Sequence, residues 1–113
     1  MNFKETQGLK KDSDFRRVYR KGKAVANRLL VMYTLPNKSE KNRVGISDSK
    51  KVGKTNIRNK ARRRIKASYR LTIDGNIKSG YDIVFIARVA IKDVEYADIE
   101  KAMKHLVKKA NLY

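Results

Sequence analysis

The sequence predicts a single α/β (α+β) domain over residues 1–113, and three observations predict it. Runs rich in Val, Ile, Leu and Tyr at residues 29–35, 43–49 and 81–88 read as strands. Apolar residues recur at helical spacing in segments that open near Asp12, Thr55 and Asp93. The chain is long enough to bury a modest core unaided, and without cysteine it has no disulfides or cysteine-based metal sites to rely on.

Residues 1–8 are polar and are expected to fray, with order beginning at Leu9. Asp12 or Ser13 offers an N-cap to a first helix in which Phe15, Val18 and Tyr19 share a face. Arg16, Arg17, Arg20 and Lys21 ring that face, and Gly22 is a natural stop. The Phe15–Tyr19 pair admits two readings. It is either a seam by which helix packs on sheet, or a stacking platform for unpaired bases, which needs flat π-faces beside cations.

Residues 23–27 form a short strand or a loop. Leu29–Leu35 alternates between its two faces and ends at Pro36 and the turn formers Asn37 to Ser39. The short connection from there to Arg43–Ser49 predicts an antiparallel hairpin. In the second strand Val44 and Ile46 face one way, while Gly45, Ser47 and Ser49 form a small face that would let a ligand backbone come close. Thr55 or Asn56 caps the second helix, whose apolar stripe is narrow: Ile57, Ala61, Ile65 and Tyr69. Tyr81–Arg88 is the most β-rich run and reads as a central strand. Asp93 caps a last helix with Tyr96, Ile99, Met103, Leu106, Val107 and Ala110 as core face, and its early acids and late bases suit the helix dipole.

The formal charge is +18, and it is unevenly placed: residues 1–49 carry +7, residues 50–70 carry +10, and residues 71–113 carry +1. The middle segment contains ten Lys and Arg and no acidic residue. A solvated helix face would intersperse Glu and Asp in i, i+4 pairs, and none occur here. Such a surface implies a polyanion as partner.

Several chemistries fail on specific residues. Gly53-Lys54-Thr55 resembles the end of a phosphate-binding P-loop, but the Gly required five residues earlier is Asp48, whose carboxylate would repel phosphate. The loop can still hold a backbone phosphate at a helix start. The strand-region acids Asp48 and Asp82 are isolated and His105 is the sole histidine, so no catalytic residue and no metal ligand set is assigned. No run approaches 18 apolar residues, the first residues lack a signal-length apolar segment, and the second helix is too narrow in its apolar face to favour a membrane surface. Duplex DNA suits a cationic helix, but aromatics on a separate helix and strand favour single-stranded RNA, whose bases are free to stack.

These residues carry a resemblance. The segment RVGISDSKKVGKTNIRNKARRRIK (43–66), with DFRRVYRKG (14–22), VANR (25–28), YTL (33–35), YDIVFIAR (81–88) and the ending NLY, is similar to the protein subunit of bacterial ribonuclease P over nearly the whole chain. The resemblance implies a four-stranded mixed sheet with three helices and a left-handed βαβ crossover. It implies a magnesium-dependent catalytic RNA that removes the 5′ leader of precursor tRNA, with the protein as a non-catalytic subunit in the cytoplasm. The Mg²⁺ would be bound mainly by the RNA, with no organic cofactor. Lys50, Lys51, Lys54, Arg58, Asn59, Lys60, Arg62, Arg63 and Lys66 would face the catalytic RNA. Phe15, Tyr19 and Tyr33, with Arg16 and Tyr113, would hold the leader. On charge alone, a general RNA chaperone or a ribosome-associated structural protein fits equally well.

Three positions depart from the family pattern. Lys60 stands where an Arg is usual, keeping charge but losing the planar fork. Asp48 and Arg64 replace aliphatic residues, which predicts that they pair across the strand–helix interface, since an uncompensated buried carboxylate is costly.

Overall fold

A computed structural model describes residues 3–113. In chain order the elements are β1 (Thr6–Gly8), α1 (Asp12–Lys21), β2 (Lys23–Ala26), β3 (Leu30–Pro36), β4 (Asn42–Ser47), α2 (Thr55–Ser68), β5 (Tyr81–Ala87) and α3 (Tyr96–Lys109). A 3-10 turn at Lys50–Val52 leads into α2, a π-helical turn at Tyr69–Ile73 leaves it, and a second 3-10 turn at Val89–Asp93 precedes α3.

The strands form one mixed sheet in the order β1-β4-β5-β3-β2. Its pairs β2–β3 and β3–β5 are antiparallel, while β1–β4 and β4–β5 are parallel. Two expectations fall here. The sheet has five strands, not four, and the extra one, β1, lies in the stretch expected to fray. β3 and β4 do not form a hairpin, because β5 is inserted between them. The physical reason is burial: β5 is apolar on both faces, with Ile83, Val84 and Phe85 at most 1% exposed, so it takes the centre of the sheet. β1, read TQG, has no apolar alternation to announce it. Polar contacts hold it instead. The Lys4 and Glu5 amides donate to the Asp74 carboxylate at 2.7 and 3.2 Å, and the Thr6 hydroxyl donates to it at 2.7 Å.

The sheet is covered on both faces. Leu30, Met32, Val44, Ile83 and Phe85 pack against Ile65 and Tyr69 below α2 and Ile99, Met103 and Leu106 on α3. The opposite face carries a smaller cluster of Leu9, Val18 and Val84, with Phe15, Tyr33, Leu35 and Ile86 packed at its margin beneath α1. Of the predicted α2 stripe, Ala61, Ile65 and Tyr69 are buried, whereas Ile57 is 36% exposed.

The helix ends differ in chemistry from expectation. Lys11 and Lys54 occupy the N-cap positions of α1 and α2, neither with a side-chain cap, so Asp12, Ser13, Thr55 and Asn56 do not cap. Asp93 belongs to the preceding turn, which docks through buried Ile91. α3 starts after Glu95, whose amide donates to Asp98 at 3.0 Å. Gly22 does end α1, but at φ −77° its role is not a left-handed turn. A Cβ there would overlap the carbonyl oxygens of Val18 and Thr34.

Candidate nucleic-acid interface

The cationic segment begins in the 3-10 turn with exposed Lys50 and Lys51 and continues through exposed Lys54, Asn59, Lys60, Arg62, Arg63 and Lys66; Arg58 is half-buried. The helix carries this charge on its outer side because Ala61, Ile65 and Ser68 turn inward. No acidic side chain of α2 itself dilutes it.

Beside α2 lies a cleft of about 550 Å³. Phe15, Arg16 and Tyr19 of α1 form one wall, Ile46, Ser47 and Asp48 the floor at the end of β4, and Arg62 and Lys66 of α2 the far wall, with Leu9 and Lys10 at the margin. The cleft exists because β1 is short: its pairing with β4 ends at Gly8–Val44, and the Leu9 amide makes a last bond to the Val44 carbonyl at 2.8 Å. Beyond that point the edge of β4 has no partner strand.

Phe15 is both core and wall. A Cβ on Gly45 would overlap its ring, so of the small face of β4 the Gly45 position is taken by the protein's own aromatic, while Ser47 lines the cleft. Tyr19, 37% exposed, lies with its ring centroid 6.3 Å from that of Phe15 and 5.2 Å from that of Tyr33, the latter edge-on. Tyr33 therefore backs Tyr19 and does not line the cleft. Tyr113 is 54% exposed and is not brought to the cleft. It follows Leu112, which is buried in the α2–α3 core and accepts the Lys78 amide at 2.6 Å.

The wall bearing the aromatics is fixed by a buried carboxylate. Asp82 on β5 has no exposed side-chain surface. Arg43 of β4 grips it with Nε at 2.8 Å and Nη2 at 2.7 Å, Asn37 Nδ2 donates at 3.0 Å, and Arg17 of α1 donates at 3.2 Å. Arg17 also donates to Asp14 at 3.1 Å, so α1 is tied to the sheet beside the residues it presents. Burial pushes the Asp82 carboxyl up. The hydrogen bonds from Arg43, Asn37 and Arg17, with the charge of Arg43, outweigh this and hold it below its ordinary value. Its hydrogen bond to Asp82 in turn raises Arg43.

A second carboxylate, Asp48, lies at the α2 wall with its side chain 8% exposed. It does not pair with Arg64. Its partners are Arg58 Nη1 at 3.7 Å and Arg62 Nε at 3.6 Å, while Arg64 Nη1 donates to the Val94 carbonyl at 2.9 Å. Helix geometry explains the change, because Arg58 and Arg62 share a face and Arg64 lies about 200° round from Arg62.

The predicted residues thus come together in a different grouping. Phe15, Arg16 and Tyr19 share the cleft with Arg62 and Lys66, which the sequence assigned to a separate surface. Lys10 was missed because its stretch shows no periodicity, whereas Ser47, read as part of a small face open to a ligand, does line the cleft. Among the described residues no group of three or more His, Cys, Asp or Glu is arranged to hold a metal, and no helix is long and apolar enough to cross a membrane.

Comparison with known proteins bears on the identity of this surface. A family model described as Ribonuclease P matches residues 3–111. The ribonuclease P protein component of Clostridioides difficile (strain 630) is 61% identical, covering 99% of this chain and 98% of that protein. Among solved structures, a Staphylococcus aureus RNase P protein mutant with defective mRNA degradation activity aligns at TM-score 0.87 and 40% identity, over 94% of this chain and 89% of that one. The RNase P protein of Thermotoga maritima aligns at TM-score 0.83 and 28% identity, over 91% and 96%. With its mixed five-stranded sheet, three helices and basic second helix, the chain belongs to the ribonuclease P protein component family.

Proposed function

We propose that this protein, a subunit of the ribonucleoprotein that processes tRNA 5′ ends, holds the catalytic RNA and the precursor leader on one continuous basic surface. The observation that carries this reading is the sharing of Arg62 and Lys66 between the cationic face of α2 and the aromatic-walled cleft. Lys50, Lys51, Lys54, Arg58, Asn59, Lys60 and Arg63 extend the surface towards the catalytic RNA. Phe15 and Tyr19, backed by Tyr33, stack leader bases, and Arg16 takes a leader phosphate. Tyr113 has no role in the cleft.

The mechanism is one of charge and position. Two anionic RNAs must approach each other, and the protein's positive potential offsets their repulsion and favours ordered Mg²⁺, which the RNA itself holds. Contacts made to the leader and not to the product favour precursor binding and leave mature tRNA free to depart. The work is done in the cytoplasm on precursor tRNA, and the β4–α2–β5 crossover takes the left-handed course that the family resemblance implies.

Reconstitution with a bacterial ribonuclease P RNA at low Mg²⁺ tests the proposal. Leader removal should require both components, and binding should favour precursor over mature tRNA only when the catalytic RNA is present. Equal binding of precursor and mature tRNA would favour a general RNA chaperone. The mRNA degradation activity named for the Staphylococcus aureus relative makes a protein-alone arm informative: cleavage without the catalytic RNA would assign the chemistry to the protein.

A further inference from the structure

The cleft contains a buried carboxylate that a purely phosphate-binding surface would not need. We propose that Asp48 is a specificity-determining residue: it accepts a hydrogen bond from an amino group of a base lying in the cleft, so that this protein disfavours uracil there. The inference rests on the reading of the cleft as the leader site.

Asp48 lines the cleft, yet only 8% of its side chain is exposed. Its charge is balanced by Arg58 and Arg62, but at 3.7 and 3.6 Å neither contact is a hydrogen bond. Neither carboxylate oxygen of Asp48 receives a hydrogen bond: Oδ2 is buried and unpartnered, as is Nε of Arg58, while Oδ1, 3.7 Å from Arg58, is not enclosed and is the oxygen a donor can reach. The carboxylate is therefore electrostatically tolerated and chemically unsatisfied, which is the state of an acceptor waiting for a donor.

The surroundings decide which donor. Phe15 and Tyr19 stand across the cleft, where a base would lie flat; Lys10, Arg16 and Lys66 supply places for phosphates, and the cleft's other carboxylate, Asp12, is exposed at the start of α1 and free to stay hydrated. A phosphate cannot settle against Asp48 itself, so the strand must turn a base edge towards it. Adenine N6, cytosine N4 and guanine N1 and N2 all present donors to a carboxylate. Uracil presents one imino donor flanked by two carbonyl acceptors, which the carboxylate repels. A site built around a hydrogen bond discriminates strongly against the analogue that cannot supply it.

The experiment uses holoenzyme reconstituted from the full chain and a bacterial ribonuclease P RNA, at one fixed salt concentration. Precursor tRNAs with each leader base changed in turn to uracil are titrated, beside tRNA lacking a leader. For the unaltered protein, uracil at one leader position should weaken binding about tenfold. Asp48→Val should flatten that profile to within about twofold by lowering the donor-bearing leaders to about the affinity of the uracil leader, roughly tenfold below the unaltered protein. Asp48→Asn, which keeps the side-chain shape and gains a donor for a uracil carbonyl, should also shrink the penalty, and it serves if the Val variant does not fold. A flat uracil profile for the unaltered protein, or an unchanged profile in the folded variants, would overturn the proposal while leader-dependent binding left the cleft assignment standing. No leader dependence at all would overturn both.

Discussion

Asp82 and Asp48 stand at opposite ends of the parallel β4–β5 pair, each withdrawn from solvent beside two arginines, and they are built differently. Asp82 receives four hydrogen bonds of 2.7–3.2 Å from Arg43, Asn37 and Arg17. Asp48 has arginines at 3.6 and 3.7 Å and a buried oxygen with no donor. The first arrangement closes a network and fixes α1 on the sheet. The second balances charge and leaves bonding capacity unused next to a cleft. Burial of a carboxylate beside arginine is thus one motif with two outcomes, and the number of hydrogen bonds, not the number of charges, distinguishes them.

The largest effect should follow from breaking the closed network. Asp82→Ala leaves Arg43 and Arg17 with Asp14 alone as carboxylate partner and should cost about 3 kcal/mol of stability, read by urea denaturation. A loss below about 1 kcal/mol would put Asp82 in the same energetic class as Asp48. Acid should expose the same network. Because the folded Asp82 carboxyl lies below its ordinary value of 3.8, its contribution is fully present above that value and is lost as pH falls through the depressed folded one. Denaturation midpoints measured from neutral pH downwards should show this acid-sensitive component in the unaltered protein and lack it in Asp82→Asn.

Next in size is the aromatic wall that the network positions. Phe15→Ala should weaken precursor binding by about 1–3 kcal/mol, the range for loss of one stacked base, and leave mature tRNA binding unchanged. Equal weakening of both would mean that Phe15 serves packing over Gly45 alone. Arg62→Ala should act on both partners, because Arg62 stands in the cleft and on the α2 face. Its signature is a fall of roughly 0.7–0.9 in the log–log salt slope for each phosphate that the protein no longer neutralises, measured separately for catalytic RNA and for precursor. A change confined to one partner would restore two separate surfaces.

What could be read from residues alone follows the reach of each signal. The three helices and the central place of β5 were legible because apolar periodicity and two-faced burial are written locally. β1 was not, since Asp74, beyond the end of α2 in sequence, holds Thr6 and the two residues before it, and pairing with β4 holds the rest, contacts made only after folding. The order of β3, β5 and β4 was hidden for the same reason: a short connection suggests pairing, and only the whole sheet shows that a more apolar strand intervenes. In the site, Phe15 and Tyr19 were legible from their i, i+4 spacing. That Arg62 and Lys66 reach the same cleft depends on how α2 lies over the end of β4, a tertiary fact with no local pattern. Asp48 was visible as a charge out of place on an apolar strand face, but helix phase puts Arg58 and Arg62 on one flank of the apolar stripe and Arg64 on the other, and which flank meets Asp48 is a tertiary fact.

The smallest expected effect separates the two carboxylates most sharply. Asp48 makes no hydrogen bond through its buried oxygen, and its two arginines retain exposure of 25% and 46%, so they can turn to water when it is removed. Replacing a weakly satisfied buried ion by an apolar residue of similar size is often neutral or stabilising. Asp48→Val should therefore change stability by less than about 1 kcal/mol, in either direction, where the same class of change at Asp82 costs several times more. Parallel urea titrations of Asp48→Val and Asp82→Ala compare the two directly. If Asp48→Val proved as damaging as Asp82→Ala, the long contacts to Arg58 and Arg62 would be holding the strand–helix junction together, and Asp48 would belong with the closed network and not with the cleft.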